Sequence, residues 1–139
     1  MFKPRLAQVP FFEHLKRKEL ELVAAQTDEL DVPEGKVLAR EGDFGHEFFV
    51  VESGTAEVSR GGEVVNQIGP GDFFGEVALL EEEKRTATVT ATSPMTLIVM
   101  SRTDFRSLDR SQPAIHQAVC DAIERHRGRD AAREQPPVG

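Results

Sequence analysis

Residues 73–91 read FFGEVALLEEEKRTATVTA. From Glu76 to Leu80 the stretch suits a short helix, and after Arg85 the alternation Thr-Ala-Thr-Val-Thr-Ala has the period of two of a half-buried strand. Thr88 and Thr90 are expected on the solvent side of that strand, with Val89 turned inward. Phe74, Leu79, Leu80 and Val64 are assigned to the core or to the wall of a pocket. Gly75 permits close backbone approach and unusual torsions. Glu76, Glu81, Glu82 and Glu83 crowd around a single arginine, so the segment is either an ordinary acidic helix or a place built for an anion.

The chemistry of these residues defines the second option. The first N–H groups of a helix starting after Gly75 carry partial positive charge and suit a phosphate. Arg85 lies ten residues after Gly75, far enough for the chain to turn and return, and a guanidinium offers phosphate a bidentate fork. Glu76 accepts hydrogen bonds only, which matches sugar hydroxyls. Phosphate cradle, arginine and hydroxyl acceptor together describe a nucleotide monophosphate. The plain alternative makes Glu76 a helix N-terminal acid and Arg85 a surface partner for Glu81, Glu82 or Glu83.

Working outward, the texture from Thr27 to Ser101 is that of short strands. Runs rich in Val, Phe, Ile and Thr alternate with glycine-marked turns at Pro33-Glu34-Gly35, Glu41-Gly42-Asp43, Ser53-Gly54, Gly61-Gly62 and Gly69-Pro70-Gly71-Asp72. Such spacing predicts an antiparallel sandwich or barrel, and Gly61-Gly62 a tight hairpin. Within that hairpin Ala56 and Val58 should face inward, Glu57 and Ser59 outward. The first 26 residues pattern as short helices interrupted by Pro4 and Pro10, with Phe12, Leu15, Leu20, Val23 and Ala24 on one face. After Ser101, residues 102–109 suit a short helix with Thr103 as N-cap, and Pro113 the first turn of a last one. Along this last helix Ile115, Ala118, Val119, Ala122, Ile123 and His126 form one stripe. The stripe suits either packing on the chain's own barrel or pairing with a second copy.

Composition narrows the classes. The 139 residues fit one domain, with 39% hydrophobic and 29% charged residues and a core built from nine Phe together with Leu and Val. A net charge of −7 argues against general attraction to nucleic-acid backbones, and the basic spot Arg125, Arg127, Arg129 reads as helix C-terminal charge. The single cysteine, Cys120, reads as a buried helix residue; it cannot form an internal disulfide, and neither a signal sequence nor a membrane-spanning run is apparent, so a cytoplasmic location is expected. His14, His46, His116 and His126 are scattered, which predicts no metal site; His46 should be solvated in a loop. No nucleophile–base pair stands out, and a cupin-type barrel enzyme would need clustered His and Glu ligands that the strands lack. No enzymatic activity is expected.

On GEVALLEEEKRTATVTA the chain resembles the cyclic nucleotide-binding domain family, whose phosphate-binding cassette it matches at Gly75, Glu76, Ala78, Leu79, Arg85, Thr86, Ala87, Val89 and Ala91. The turns EGDFGHEFFVVESGTAEV and IGPGDFFGE are similar to the family's barrel, and VPFFEHLKRKELELVA to its leading helices. The resemblance implies a mainly β fold with flanking helices: an antiparallel barrel of jelly-roll type, N-terminal helices, a short phosphate-binding helix and a C-terminal helical lid. Residues 1–128 would form the domain and residues 129–139 a flexible tail. It further implies cAMP or cGMP as ligand, with Arg85 on the equatorial exocyclic oxygen and Glu76 on the ribose 2′-OH. Gly75, Val77, Ala78 and Ala87 would complete the cradle, and Thr86 would meet phosphate or a syn guanine amino group. Ile123, Arg125 and His126 are the lid candidates for the base. Glu81, Glu82 and Glu83 stand where family members often carry small residues or proline, which keeps a non-binding scaffold in view. With no helix-turn-helix after the last helix, the expectation is a stand-alone regulatory module that touches no DNA and signals to an effector protein; the sensory part of a longer regulator is the other reading.

Overall fold

The computed structural model describes residues 12, 15–80 and 83–132, with backbone alone at 76, 83, 122 and 126–132. The expected leading helices before residue 12, residues 133–139 of the tail expected over 129–139, and Glu81 and Glu82 therefore lie outside the described residues; residues 129–132 continue the last helix.

Among the described residues, helix α1 (Arg17–Ala24) precedes ten strands: β1 (Asp28–Val32), β2 (Val37–Ala39), β3 (Phe44–Gly45), β4 (Glu47–Ser53), β5 (Ala56–Arg60), β6 (Glu63–Ile68), β7 (Phe73–Phe74), β8 (Glu83–Lys84), β9 (Thr88–Ala91) and β10 (Met95–Ser101). A 3₁₀ helix (Glu76–Leu79) sits between β7 and β8, and α2 (Arg102–Ser111) and α3 (Pro113–Ala132) follow. The strands pair in the orders β1-β10-β4-β7, β2-β9-β5-β6 and β3-β8, antiparallel throughout. This is the expected jelly-roll arrangement of mainly antiparallel β structure with flanking helices.

Two apolar layers explain why the central strands read as unbroken hydrophobic runs. In β4, Phe49 and Val51 point between the sheets with Val58, Phe74, Val89 and Leu97, while Phe48 and Val50 point to the helices. In β10, Leu97 and Val99 face the inter-sheet core and Ile98 and Met100 the helical layer. A strand covered on both faces loses its polar alternation. The helical layer buries Leu20 and Val23 of α1, Phe105 and Leu108 of α2, and Ile115, Val119 and Ile123 of α3 in one cluster. Ile115, Val119 and Ile123 of the stripe on the last helix thus pack on their own domain.

Gly61 and Gly62 form the β5–β6 turn with φ of 58° and 85°, values that disfavour side chains. Across the hairpin Ala56 and Val58 are buried as expected, but Val64 is 53% exposed rather than in the core or a pocket wall. The register shifts between Val58 and Ser59, and Val64 then pairs with outward-facing Ser59 on the edge strand β6. The cap of α2 also differs from expectation. Ser101, not Thr103, accepts the N–H of Asp104 (3.1 Å), because β10 passes into the helix with no intervening loop. Leu80 is partly buried beside the helical layer. Cys120 is half-buried rather than fully so.

Candidate functional site

The dipeptide Phe73-Phe74 anchors the candidate site to both layers. Phe74 stacks on Phe49 between the sheets, with ring centroids 4.7 Å apart, and Phe73 meets Phe48 edge-on at 5.9 Å. With β7 fixed on both faces, the chain turns sharply at Gly75, whose φ of 83° is left-handed. The 3₁₀ helix follows, closed by Ala78 N–H donating to the Gly75 carbonyl (3.1 Å). Val77, Ala78 and Leu79 are all buried, and Leu79 belongs to the helical layer.

Arg85 enters the same place from the other side. Its backbone N–H donates to the Asp43 carbonyl (2.7 Å) and its own carbonyl accepts from Gly42 N–H (2.9 Å), beside the β3–β8 pair. The side chain turns inward. It is 5% exposed, and among the described residues it is the one buried charged side chain. Its Nη2 donates to the Glu47 carbonyl at 2.8 Å.

Two glycines make room for the guanidinium. A Cβ on Gly45 would strike Nε and the guanidinium carbon of Arg85 and lie 2.8 Å from Nη1. A Cβ on Gly75 would lie 2.6 Å from Nη1 and 2.6 Å from the Glu47 carbonyl oxygen. Arg85 therefore occupies a slot between Gly45 and Gly75. Burying a guanidinium costs several kcal/mol unless acceptors surround it.

Thr86 and Ala87 continue from the slot into the sheet. The Thr86 carbonyl accepts from Arg60 Nε (3.1 Å), and Ala87 is buried between the sheets. Gly75, Val77, Ala78, Arg85, Thr86 and Ala87 are thus neighbours of one turn-and-strand assembly. The carboxylates of Glu76 and Glu83 and the imidazole of His126 lie outside the described residues. Ile123 is fully buried in the helical layer and Arg125 is exposed. His46 is an exposed loop residue. Among the described residues no group of three or more His, Cys, Asp and Glu is placed to hold a metal ion, and no helix is long and apolar enough to cross a membrane. A surface pocket of about 430 Å³ beside Asp31, Ser53, Pro94 and Thr96 shares no residue with the cassette.

Sequence reasoning did not single out Gly45, Glu47, Arg60 or Arg102. For Gly45 a signal existed: a glycine between Phe44 and the apolar run of β4 marks close backbone approach.

Residues 29–112 match the sequence profile of the family described as Cyclic nucleotide-binding domain, and the chain belongs to that family. It is 35% identical over 125 residues to a cyclic nucleotide-gated potassium channel of Rhizobium etli, matching 88% of this chain and 35% of the channel. It is 36% identical over 110 residues to a cAMP-dependent protein kinase regulatory subunit of Emericella nidulans, matching 78% of this chain and 27% of that protein. The chain therefore spans about a third of the length of such relatives or less. Among solved structures, a regulatory domain of Toxoplasma gondii PKA co-crystallised with cAMP superposes with a TM-score of 0.68 at 37% identity, covering 76% of this chain and 42% of that one.

Proposed function

We propose that this chain is a non-enzymatic cytoplasmic receptor module for a cyclic nucleotide monophosphate, with cAMP as the preferred ligand and cGMP as the competitor. The observation that carries the reading is the inward-turned Arg85 in its glycine-lined slot, beside the left-handed turn at Gly75. A cyclic phosphate keeps one negative charge and two exocyclic oxygens, which a guanidinium can grip in fork geometry. Arg85 takes the equatorial oxygen, and backbone amides of residues 75–78 and 86–87 complete the cradle. Glu76 accepts the ribose 2′-OH, and Thr86 contributes a hydroxyl near phosphate or base. Ile123, Arg125 and His126 of α3 are the lid candidates. The kinase subunits and the co-crystal structure named for cAMP support the choice of base.

Signalling runs through the last helix. Leu79 of the cradle shares one apolar cluster with Ile115, Val119 and Ile123 of α3. A ligand that binds one cradle position more tightly shifts α3 in proportion to that difference in affinity. The output goes to an effector protein or to a second copy through the C-terminal helix. Titration calorimetry with cAMP, cGMP and AMP on wild type and Arg85→Ala tests this. Wild type should bind the cyclic nucleotides and not AMP. Loss of a charge-assisted contact of about 1.5–3 kcal/mol should weaken Arg85→Ala roughly 10- to 150-fold. No heat from wild type with either cyclic nucleotide up to about 1 mM, a binding energy of only about 4 kcal/mol, would mark the domain as a non-binding scaffold.

A further inference from the structure

Between the buried Arg85 and strand β9 lies a bend, Thr86-Ala87, that belongs to neither β8 nor β9. It falls outside the pairing of β5 with β9, which ends at Ser59 opposite Thr88. Arg60, the next residue of β5, carries the connection one step further with its side chain. Nε donates to the Thr86 carbonyl at 3.1 Å, across 26 positions of sequence. This donor is presented from a fixed frame: Gly61 N–H donates to Glu41 Oε1 at 3.0 Å, and Glu41 N–H to Thr88 Oγ1 at 3.0 Å. On the other side of the bend, the Arg85 backbone is bonded to Asp43 and Gly42. Thr86 is therefore held from both directions, by main-chain bonds before it and by a half-buried guanidinium at its own carbonyl. In a planar trans peptide the C=O and the following N–H point opposite ways. Fixing the Thr86 carbonyl on Arg60 thus also aims the Ala87 N–H away from Arg60.

We propose that Arg60 is a positioning residue: its hydrogen bond sets the Thr86–Ala87 peptide, and with it the direction in which Thr86 offers its hydroxyl to the phosphate. This deepens the receptor reading above and rests on it. Thr86 makes the nucleotide contact, and Arg60 acts through Thr86. What the role needs is an N–H at the place of Nε, not the positive charge. Glutamine carries its amide nitrogen the same number of bonds from the backbone as arginine carries Nε. Arg60→Gln therefore keeps a donor there and removes the charge.

The test is a double-mutant cycle of Arg60→Ala with Thr86→Ala, read by calorimetry with cAMP and with cGMP. Full chains are used, at a temperature where unfolding curves show each one folded. Arg60→Ala should bind both nucleotides about fivefold more weakly than wild type, the size of one hydrogen bond. In the Thr86→Ala background the same substitution should cost about twofold or less, because the group that Arg60 directs is gone. Arg60→Gln should stay within about twofold of wild type. A merely structural role would lower affinity equally in both backgrounds, and a general attraction of charge to phosphate would leave Arg60→Gln as weak as Arg60→Ala. Either result overturns the role of Arg60 and leaves the receptor reading intact. If Arg60→Ala does not fold, Arg60→Met, which keeps the apolar stem without the N–H, carries the same cycle. A wild type that binds neither nucleotide overturns the receptor reading, and this role with it.

Discussion

Gly45→Ala isolates the slot from every other feature of the site. Gly45 does not have the positive φ that strains a side chain, so the backbone itself accepts alanine. The three heavy atoms nearest the added methyl all belong to the Arg85 guanidinium. Two responses are open. The guanidinium leaves and forfeits its bond to the Glu47 carbonyl, about 1.5–3 kcal/mol for a charged donor, or the strands part, at about 1–3 kcal/mol for overpacking. Either way, stability falls by about 1–3 kcal/mol, roughly a 1 M lower urea midpoint for a small domain. Because the displaced arginine no longer aims at the cradle, cyclic nucleotide affinity falls about tenfold or more. Gly35→Ala is the control. Gly35 has a φ of 90° and open space around its Cβ position, so alanine there costs about 1–2 kcal/mol of backbone strain and leaves the slot untouched. Urea unfolding and calorimetry on both variants decide the matter. Wild-type affinity and stability in Gly45→Ala would refute the slot, and equal affinity loss in Gly35→Ala would show that stability, not arginine placement, governs binding.

Leu79 is 2% exposed in the cluster that joins the cradle to the helices, so Leu79→Ala should lose about 2–5 kcal/mol, read from urea unfolding. The Cys120 thiol is pushed above its ordinary value, first by burial and then by the charges of Asp121, Asp109 and Glu124. The folded state holds this proton more tightly than the unfolded state. The contribution to stability is therefore full below the unfolded thiol's pKa and is lost as pH rises through the folded value. Urea midpoints of wild type and Cys120→Ala should show any advantage of the native thiol shrinking in that alkaline window, and alkylation by iodoacetamide should run slower in the folded chain than in unfolded chain at the same pH.

What is local in this protein was legible in its sequence. Glycine-marked turns and period-two runs bound the β region at Thr27 and Ser101, and strands run from Asp28 to Ser101. Gly61-Gly62 named its hairpin, Pro113 the start of its helix, and the Gly75-to-Arg85 spacing the family, because each depends on neighbours along the chain. The folded arrangement decided what depends on distant partners. Arg85 meets the Glu47 carbonyl across 38 positions, and Arg102 reaches Ala78 across 24 and Gly45 across 57. Val64 is apolar and reads as core, yet it lies on the edge strand β6, where Val64 and Val65 are each 53% exposed. Residue types can announce a cation and a cradle. Only the packing of two sheets and a helical layer makes a slot that holds one against the other.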